Sequence, residues 1–450
     1  MSSADVTILG GGVCGLYAAH TACRLGAHVQ LVEKGKSLGG LAAGHRLGEN
    51  WYDLGVHMLH AFDAEIFQDC AEVMGEERIE VPLKSHIQWQ GKTYHYPLRG
   101  RDILSGIAPL TLARCLLGLG IAELRSRFSA KPHGTDAESA LIELYGVPLY
   151  EFFFEDFTHR YWGRHPRSLD AEFIRRKMPR LSAVDVLKNG LEKLGIAKPR
   201  DAREGAMRFE TLHYSRTGAE AMPRLLGESL QSAGVTMLTG ETIIEIHHDE
   251  NSITEVVTGN KILTGTDFVS TLPLPDLVHC LHPAAPPDVL DAANQLRFKP
   301  LTIYALLIRK DRCMDALYTY YRDQVFHRVG EPKNAGLEVT PAGHTTLIVE
   351  TTCEIGDRYW QGDALDEILT GLSLEGLCEP DDLVEHHLIH SAHAYPIFAH
   401  GFQKHLACVT DYLSCFKNLR TTGRQGAFTY PNMHSAMRMG AEAVKSLLQS

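Results

Sequence analysis

Three glycines and a glutamate near the amino terminus have the spacing that binds a dinucleotide. Gly10, Gly12 and Gly15 occupy the first, third and sixth places of the run GGGVCG. In such a run the first glycine allows a tight turn, the second lets the backbone approach a pyrophosphate, and the third lets helix and strand pack closely. Glu33 follows about 20 residues later, where an acidic side chain accepts the hydroxyl groups of an unphosphorylated ribose. The pattern therefore favours FAD or NAD over NADP.

The elements that must position these groups can be predicted from the flanking sequence. An apolar run at Val6–Leu9 predicts a buried strand, and the Ala- and Leu-rich stretch Leu16–Leu25 predicts a helix. Val29–Val32 predicts a second strand that ends at Glu33. The start of such a helix offers free N–H groups and a positive dipole end to phosphates. Strand, glycine turn, helix, strand and acid thus occur in the order that a nucleotide-binding βαβ unit needs.

A second glycine pair comes soon after Glu33. The segment from Lys34 to Leu41 contains Gly39 and Gly40. Glycines lack a Cβ, so the chain can pass close to an extended cofactor at these positions. This feature favours FAD over NAD.

Three segments together resemble the superfamily of FAD enzymes that includes amine oxidases, protoporphyrinogen oxidases and phytoene desaturases. Residues Glu33–Leu41 and Tyr52–His57 resemble the beginning of these enzymes, and Gly423–Met433 resembles their closing FAD motif. UDP-galactopyranose mutase shares the same architecture. The resemblance implies that the first segment binds the ADP half of FAD and that Asp53–His57 passes beside the flavin ring. It implies that a Gly-Arg pair and the following helix start meet the pyrophosphate and the flavin's ribityl and pyrimidine end.

The resemblance also assigns individual FAD contacts. Ile243, in a strand predicted at Thr242–His247, is the expected adenine contact, and Asn432 departs from the aspartate that the mutase pattern usually has. The full set of expected FAD-binding residues is Gly10, Gly12, Val13, Cys14, Gly15, Glu33, Lys34, Gly39, Gly40, Leu41, Gly55, His57, Ile243, Thr271, Gly423, Arg424, Asn432 and Met433.

Five residues are candidates for catalysis, and each has a structural alternative. His57 lies in the segment that should run beside the flavin, where it could hydrogen-bond the ring or tune its electronics. Arg424 could stabilise a reduced, anionic flavin or a substrate diphosphate rather than lie on the surface. The other three, which echo segments of the mutase, are Trp162, Arg328 and Tyr430.

These mutase-like positions have alternatives that the sequence leaves open. Trp162, next to Gly163 and Arg164, could stack on a base or could simply pack between helices. Arg328 lies in a short segment that resembles one of the mutase, in which a similar arginine is in the active site. We expect nearby Glu331 to form a surface ion pair.

The expected scaffold supports two reactions. In the first, which we favour, an FAD-dependent oxidoreductase oxidises a small or lipid-like substrate by hydride transfer to the flavin. In the second, a mutase-like enzyme isomerises a nucleotide sugar between pyranose and furanose forms through reduced FAD without net redox. A flavoprotein used only for assembly is a third class that nothing in the sequence requires.

The expected fold is α/β, with a Rossmann-type, GR2-like FAD-binding domain and a discontinuous substrate domain made of a mixed sheet and a helical insert. The FAD-binding domain is expected to consist of residues 1–60, 206–285 and 411–450. The substrate domain is expected to take 61–205, with the helical insert at about 103–198, and the sheet segment 286–410.

Composition restricts the remaining classes. The net charge of −11 with interspersed signs argues against a nucleic-acid-binding surface. Ten scattered cysteines without a CxxC pair suggest a reducing compartment, so we expect a cytoplasmic protein. We also expect a small-molecule substrate and no metal. A strand is predicted within a few residues of Met1, so we expect no signal peptide.

The apolar stretch Ile103–Leu124 is the one segment that suggests a membrane. Pro109, Arg114 and Glu123 interrupt it, so it is unsuited to crossing a bilayer and is expected to form one or two helices over a substrate cavity. The alternative is a surface that touches membrane to collect a lipid-like substrate. The sequence does not predict the oligomeric state.

Overall fold

A computed structural model describes residues 4–55, 57–96, 107–128, 134–177 and 211–449. Part of the expected helical insert and the expected domain boundary at 205–206 lie outside these residues. The strands are β1 (Ala4–Leu9), β2 (Val29–Glu33), β3 (Gly44–Leu47), β4 (Asn50–Asp53), β5 (Arg78–Pro82), β6 (Ser85–Trp89), β7 (Lys92–Tyr96), β8 (Thr211–Ser215), β9 (Thr236–Thr239), β10 (Ile243–His248), β11 (Ile253–Thr258), β12 (Ile262–Leu263), β13 (Gly265–Ser270), β14 (Leu281–His282), β15 (Phe298–Ile308), β16 (Tyr318–Tyr321), β17 (Arg328–Gly330), β18 (Thr345–Thr352), β19 (Leu383–Pro396) and β20 (Leu419–Thr421).

The helices vary from short turns to a helix of 20 residues. They are α1 (Val13–Arg24), α2 (Ala64–Met74), α3 (Pro109–Phe128), α4 (Ala137–Tyr145), α5 (Val147–Leu149), α6 (Glu155–Trp162), α7 (Ala171–Lys177), α8 (Ala221–Ser232), α9 (Leu274–His279), α10 (Pro287–Gln295), α11 (Arg358–Gln361), α12 (Leu365–Leu374), α13 (Phe402–Leu413), α14 (Gly423–Gly426) and α15 (Met433–Leu448). A π-helical turn at Tyr150–Phe154 joins α5 to α6.

A five-stranded parallel sheet forms the nucleotide-binding half. Its strand order is β20-β13-β1-β2-β9. One face packs against α1, α2, α8 and α15, and the other packs against a small four-stranded mixed sheet that contains β10 and β11. Both faces are buried, which explains why β1 and β2 read as apolar runs in the sequence.

The order of this sheet fixes where the cofactor residues meet. Parallel strands bring their carboxyl ends to one edge, where ligands bind in open α/β sheets. Gly10 follows β1, Glu33 ends β2, Thr271 follows β13 and Gly423 comes two residues after β20. Residues from the beginning, middle and end of the chain therefore lie at the same edge.

A second, seven-stranded sheet builds the other half, with the order β19-β15-β18-β17-β16-β6-β7. It is antiparallel except where β16 pairs with β6 in parallel. Its long central strands are buried, and one core cluster joins it to α4, α6 and the π-helical turn. The α/β fold expected from the sequence, with a parallel sheet and a mixed sheet, is confirmed.

Candidate active site

The first glycine turn is packed so tightly that most side chains would not fit. A Cβ at Gly10 would lie 2.2 Å from Thr271 Oγ1, and a Cβ at Gly15 would lie 2.0 Å from the Gly10 carbonyl oxygen. Gly12 differs, because a Cβ there would meet no protein atom closer than 3.9 Å. The open surface at Gly12 lies directly before α1, at the position where a pyrophosphate approaches the backbone in dinucleotide folds.

Glu33 connects the two glycine-rich turns. The N–H of Gly11 donates to Glu33 Oε2 at 2.7 Å, and the N–H of Gly35 donates to Oε1 at 2.7 Å. A carboxylate has about four lone-pair sites. Glu33 is thus fixed by the backbone and retains acceptor capacity for the two hydroxyl groups of a ribose.

The second glycine pair lies beside the first turn. The N–H of Gly39 donates to the Gly11 carbonyl oxygen at 2.8 Å, and Gly12 and Gly39 form an isolated parallel bridge. Gly39 and Gly40 both have positive φ, at 115° and 59°. This left-handed backbone explains the glycine pair, since L side chains rarely adopt it.

The edge of the parallel sheet fits the anionic part of a dinucleotide. No side chain caps α1 at Gly12 or α15 at Asn432, so both helix starts present first-turn N–H groups. Helix starts of this kind favour phosphate. The uncapped helices and the open surface at Gly12 agree with a pyrophosphate held at the edge.

Several residues expected to bind the cofactor pack against the protein core near this edge of the parallel sheet. A Cβ at Gly423 would lie 2.9 Å from Cys14 Sγ, which places the closing motif on the first helix. Burial raises the pKa of the Cys14 thiol to about 12, so this cysteine packs as a small apolar residue. Met433 packs against the core cluster of α1, and Ile243 packs at the start of β10 against the opposite cluster.

The Asp53–His57 segment is anchored at its first residue. Asp53 is buried at the end of β4, where it accepts hydrogen bonds from the Ala219 N–H at 3.0 Å and from the Tyr214 hydroxyl. Burial raises the pKa of the Asp53 carboxyl to about 7. The side chain therefore holds the local backbone in place.

Two residues farther along, Gly55 rests on a buried ion pair. It has φ +112°, and a Cβ there would lie 2.9 Å from Glu350 Oε1 and 3.2 Å from Arg328 Nη2. Arg328 Nε donates to Glu350 Oε1 at 2.6 Å, and the two residues are partners in the β17–β18 ladder. His327 Nε2 lies 3.5 Å from the other carboxylate oxygen, Oε2.

His57 is neutral at physiological pH. Its pKa is lowered to about 4 by burial and by the positive charges of Arg424 and Arg328, while Glu350 and the Gly55 backbone oppose the shift. A neutral imidazole has one N–H donor and one acceptor nitrogen. His57 can therefore exchange a hydrogen bond with a heteroatom beside it without adding charge.

Arg424 is held by aromatic rings. Its guanidinium carbon lies 4.2 Å from the Tyr430 ring centroid and 5.5 Å from the Tyr395 centroid, and Nη1 donates to the Ala394 carbonyl oxygen at 3.4 Å. It makes no ion pair with any residue in the described ranges. Its charge is therefore available to a bound group.

A wall of aromatic rings extends from Arg424 to the ion pair. The Tyr430 and Tyr395 centroids are 5.2 Å apart, Tyr395 and Tyr161 are 5.8 Å apart, and Tyr161 lies 5.0 Å from His327. Trp162 is buried behind this wall, edge-on to Tyr161. Its burial favours the packing alternative for Trp162 over stacking on a ligand.

The structure thus brings together four of the five expected catalytic residues, His57, Arg328, Arg424 and Tyr430, and places Trp162 behind them. Three neighbours, Glu350, Tyr395 and Tyr161, were missed as site residues. Tyr161 lies in an aromatic-rich stretch that could have signalled it, whereas Glu350 and Tyr395 lie in strands without a motif. Glu331 is also a correction, because it is buried and accepts N–H groups of Cys313 and Met314 instead of forming a surface ion pair.

The described residues contain neither a metal-binding cluster nor a membrane-spanning helix. No cluster of three or more His, Cys, Asp or Glu side chains there could hold a metal ion. Within the same residues, no helix is long and apolar enough to cross a membrane.

Comparison with known proteins gives a family match over most of the chain. Residues 13–312 match the sequence model for flavin-containing amine oxidoreductases. No curated protein sequence matches the chain.

Several solved structures have a fold similar to that of this chain. The crystal structure of a reduced UDP-galactopyranose mutase matches with a TM-score of 0.82 and 19% identity, over 99% of this chain and 96% of that one. An oxidoreductase from Methanosarcina mazei matches with a TM-score of 0.68 and 13% identity, over 99% and 100%. Cyclohexylamine oxidase from Brevibacterium oxydans IH-35A matches with a TM-score of 0.65 and 14% identity, over 100% and 99%.

Proposed function

The chain belongs to the flavin-containing amine oxidoreductase family and its cofactor is FAD; on this premise we propose that it is an oxidoreductase that removes a hydride from a small or lipid-like organic substrate. FAD supplies the hydride-accepting chemistry when it is bound. The protein's own task is then to bind, to orient and to exclude water.

The balance of charge at the site carries this proposal. The Arg328 and Glu350 charges cancel at a separation of 2.5 Å, and Arg424 has no carboxylate partner among the described residues. One uncompensated positive charge matches the single negative charge that develops when a flavin is reduced. A nucleotide diphosphate carries two negative charges, whereas Arg424 supplies a single positive one.

Neighbouring residues have roles that fit the same chemistry. Neutral His57 would offer one hydrogen bond while adding no charge. The rings of Tyr161, Tyr395 and Tyr430 would keep water from the reacting atoms. Glu350 would act indirectly, by holding Arg328 beneath Gly55.

The cofactor would be held by residues from all three parts of the chain. Glu33 would bind the ribose, the turn at Gly12 and the start of α1 would bind the pyrophosphate, and the start of α15 would face the flavin. We propose accordingly that residues 1–60, 206–285 and 411–450 form one FAD-binding domain, because they supply all five strands of the parallel sheet.

A redox-neutral sugar isomerisation is the second candidate, and one observation favours it. The aromatic wall consists of tyrosines, and tyrosine hydroxyls can hydrogen-bond a sugar, whereas an apolar substrate would require only rings. A nucleotide sugar would bind with its diphosphate near Arg424.

The direct test of hydride removal is anaerobic mixing of the oxidised holoenzyme with panels of amines, alcohols and unsaturated lipid-like compounds. We expect at least one class to bleach the flavin spectrum and an added acceptor to restore it. The Arg424→Met variant should bleach more slowly, whereas the control Arg420→Met, on β20, should bleach like the wild type. Failure of every donor class, with nucleotide sugars isomerised by reduced enzyme, would overturn the proposal.

A further inference from the structure

Helix α3 carries large apolar residues on two sides, but the described part of the protein buries only one of them. Cys115, Leu119 and Ala122 are buried on that side. The packing there is close, because a Cβ at Gly118 would lie 2.7 Å from Pro148 Cδ. An apolar face on a helix is normally turned towards a partner surface, and its second apolar side has none among the described residues.

The outward side of α3 is a stripe of large apolar residues. Its five members are between 43% and 85% exposed, and we call them the α3 stripe: Leu110, Leu117, Ile121, Leu124 and Phe128. They follow one another at steps of seven, four, three and four residues. At 100° per residue these steps place all five on one face. Clusters of exposed apolar residues mark interaction sites, whereas scattered single ones do not.

The charges beside the stripe are positive. Helical geometry places Arg114 and Arg125 along one edge of the α3 stripe and Glu123 on the opposite side of the helix. Both arginines are exposed, and neither makes an ion pair within the described part of the chain. This combination stands out in a protein whose net charge is −11.

From this arrangement we propose that α3 binds the surface of an anionic lipid bilayer, lying in the interface with its stripe inserted. Interfacial helices combine an apolar face with basic residues that contact anionic headgroups. The helix has 20 residues, about 30 Å, but its charged residues prevent it from spanning.

A second copy of the chain fits the same face less well. Two α3 stripes packed together would bring Arg114 and Arg125 of both copies to one seam, and the exposed face offers no carboxylate to pair with them. An anionic surface neutralises both arginines while burying the stripe. The inference does not depend on the reaction proposed above.

The test is co-sedimentation of the full-length holoenzyme with vesicles of phosphatidylcholine alone or mixed with phosphatidylserine. We expect binding to the mixed vesicles that weakens with added salt. The double variant Leu117→Glu/Leu124→Glu should bind at least tenfold more weakly, and Arg114→Gln or Arg125→Gln about fivefold more weakly. The matched control is Leu374→Glu, which changes a residue that is 77% exposed on α12 and should bind like the wild type.

Flavin content and oligomeric state should be measured on the same samples. Retained flavin in the double variant shows that the fold is intact and separates this result from any failure of the catalytic proposal. Absence of vesicle binding by the wild type, or equal binding by the double variant, would overturn the inference. A wild-type dimer that becomes monomeric in the double variant would do so as well, by assigning the stripe to a second copy.

Discussion

Arg328 and Glu350 face each other across β17 and β18, joined by a hydrogen bond of 2.6 Å from Nε and covered by Gly55. The pair joins the seven-stranded sheet to the segment expected beside the flavin. Glu350 also neutralises the charge of Arg328, so Arg424 provides the cation to a bound group.

Breaking this pair should cost far more stability than breaking an exposed one. The Glu350→Gln variant leaves Arg328 buried without its counter-charge, and we expect a loss of about 3–5 kcal/mol in the free energy of unfolding. Glu338→Gln, which breaks the exposed pair with Arg216, should cost less than about 1 kcal/mol. Denaturant unfolding of the apoproteins measures both. Equal losses would contradict the structural role given to Glu350, and the apolar double replacement Arg328→Met/Glu350→Leu should recover most of the stability.

Two alanine substitutions should separate cofactor binding from folding. Gly12→Ala adds a methyl group that meets no protein atom within 3.9 Å, so the apoprotein should remain stable while FAD affinity falls at least tenfold. Gly15→Ala places its methyl group 2.0 Å from a carbonyl oxygen and should destabilise the apoprotein by about 1–3 kcal/mol. Flavin content and thermal unfolding would measure the two effects. Normal flavin binding by Gly12→Ala would argue against a pyrophosphate at that turn.

His57 should make the folded protein sensitive to acid. Its pKa falls from the ordinary 6.5 to about 4 on folding, so the unfolded chain takes up a proton in this window while the folded chain does not. Stability should therefore decrease as pH is lowered from 6.5 to 4, and His57→Asn should abolish roughly 3 kcal/mol of that decrease. Urea unfolding across this pH range tests the point, and identical profiles for the two proteins would refute it.

The charge of Arg424 should raise the reduction potential of the bound flavin. A unit charge within about 10 Å at an effective dielectric constant of 20 corresponds to a shift on the order of 30 mV for a two-electron couple. Arg424→Met should lower the midpoint potential by about this amount, and Arg424→Lys should preserve most of it. Spectroelectrochemical titration gives the values directly. An unchanged potential in Arg424→Met would show that the Arg424 charge lies away from the flavin.

The part of the site built from neighbouring residues was predictable, whereas the part built by strand register was not. Gly10, Gly12, Gly15 and Glu33 act within a single βαβ unit, so their spacing alone indicates their positions. Glu350 meets Arg328 only because β17 pairs with β18 in one register. That register depends on packing between distant segments, which no local pattern specifies.

Burial could not be predicted from residue type. For Trp162 the sequence left ligand stacking and helix packing open, and the structure buries it. Glu331 was expected to be a surface charge, but it is buried and accepts backbone N–H groups. The FAD roles of the individual residues and the domain boundaries stay predictions, which the variants above address in part.

The central claim is that turnover consumes the oxidised flavin. The most direct measurement compares oxidised and dithionite-reduced holoenzyme under anaerobic conditions, with product and flavin spectrum recorded together for the same substrate panels. The account predicts that oxidised enzyme forms product only until its flavin is reduced and that reduced enzyme forms none. Sustained isomerisation of a nucleotide sugar by reduced enzyme, with the flavin still reduced afterwards, would contradict it and establish the redox-neutral alternative.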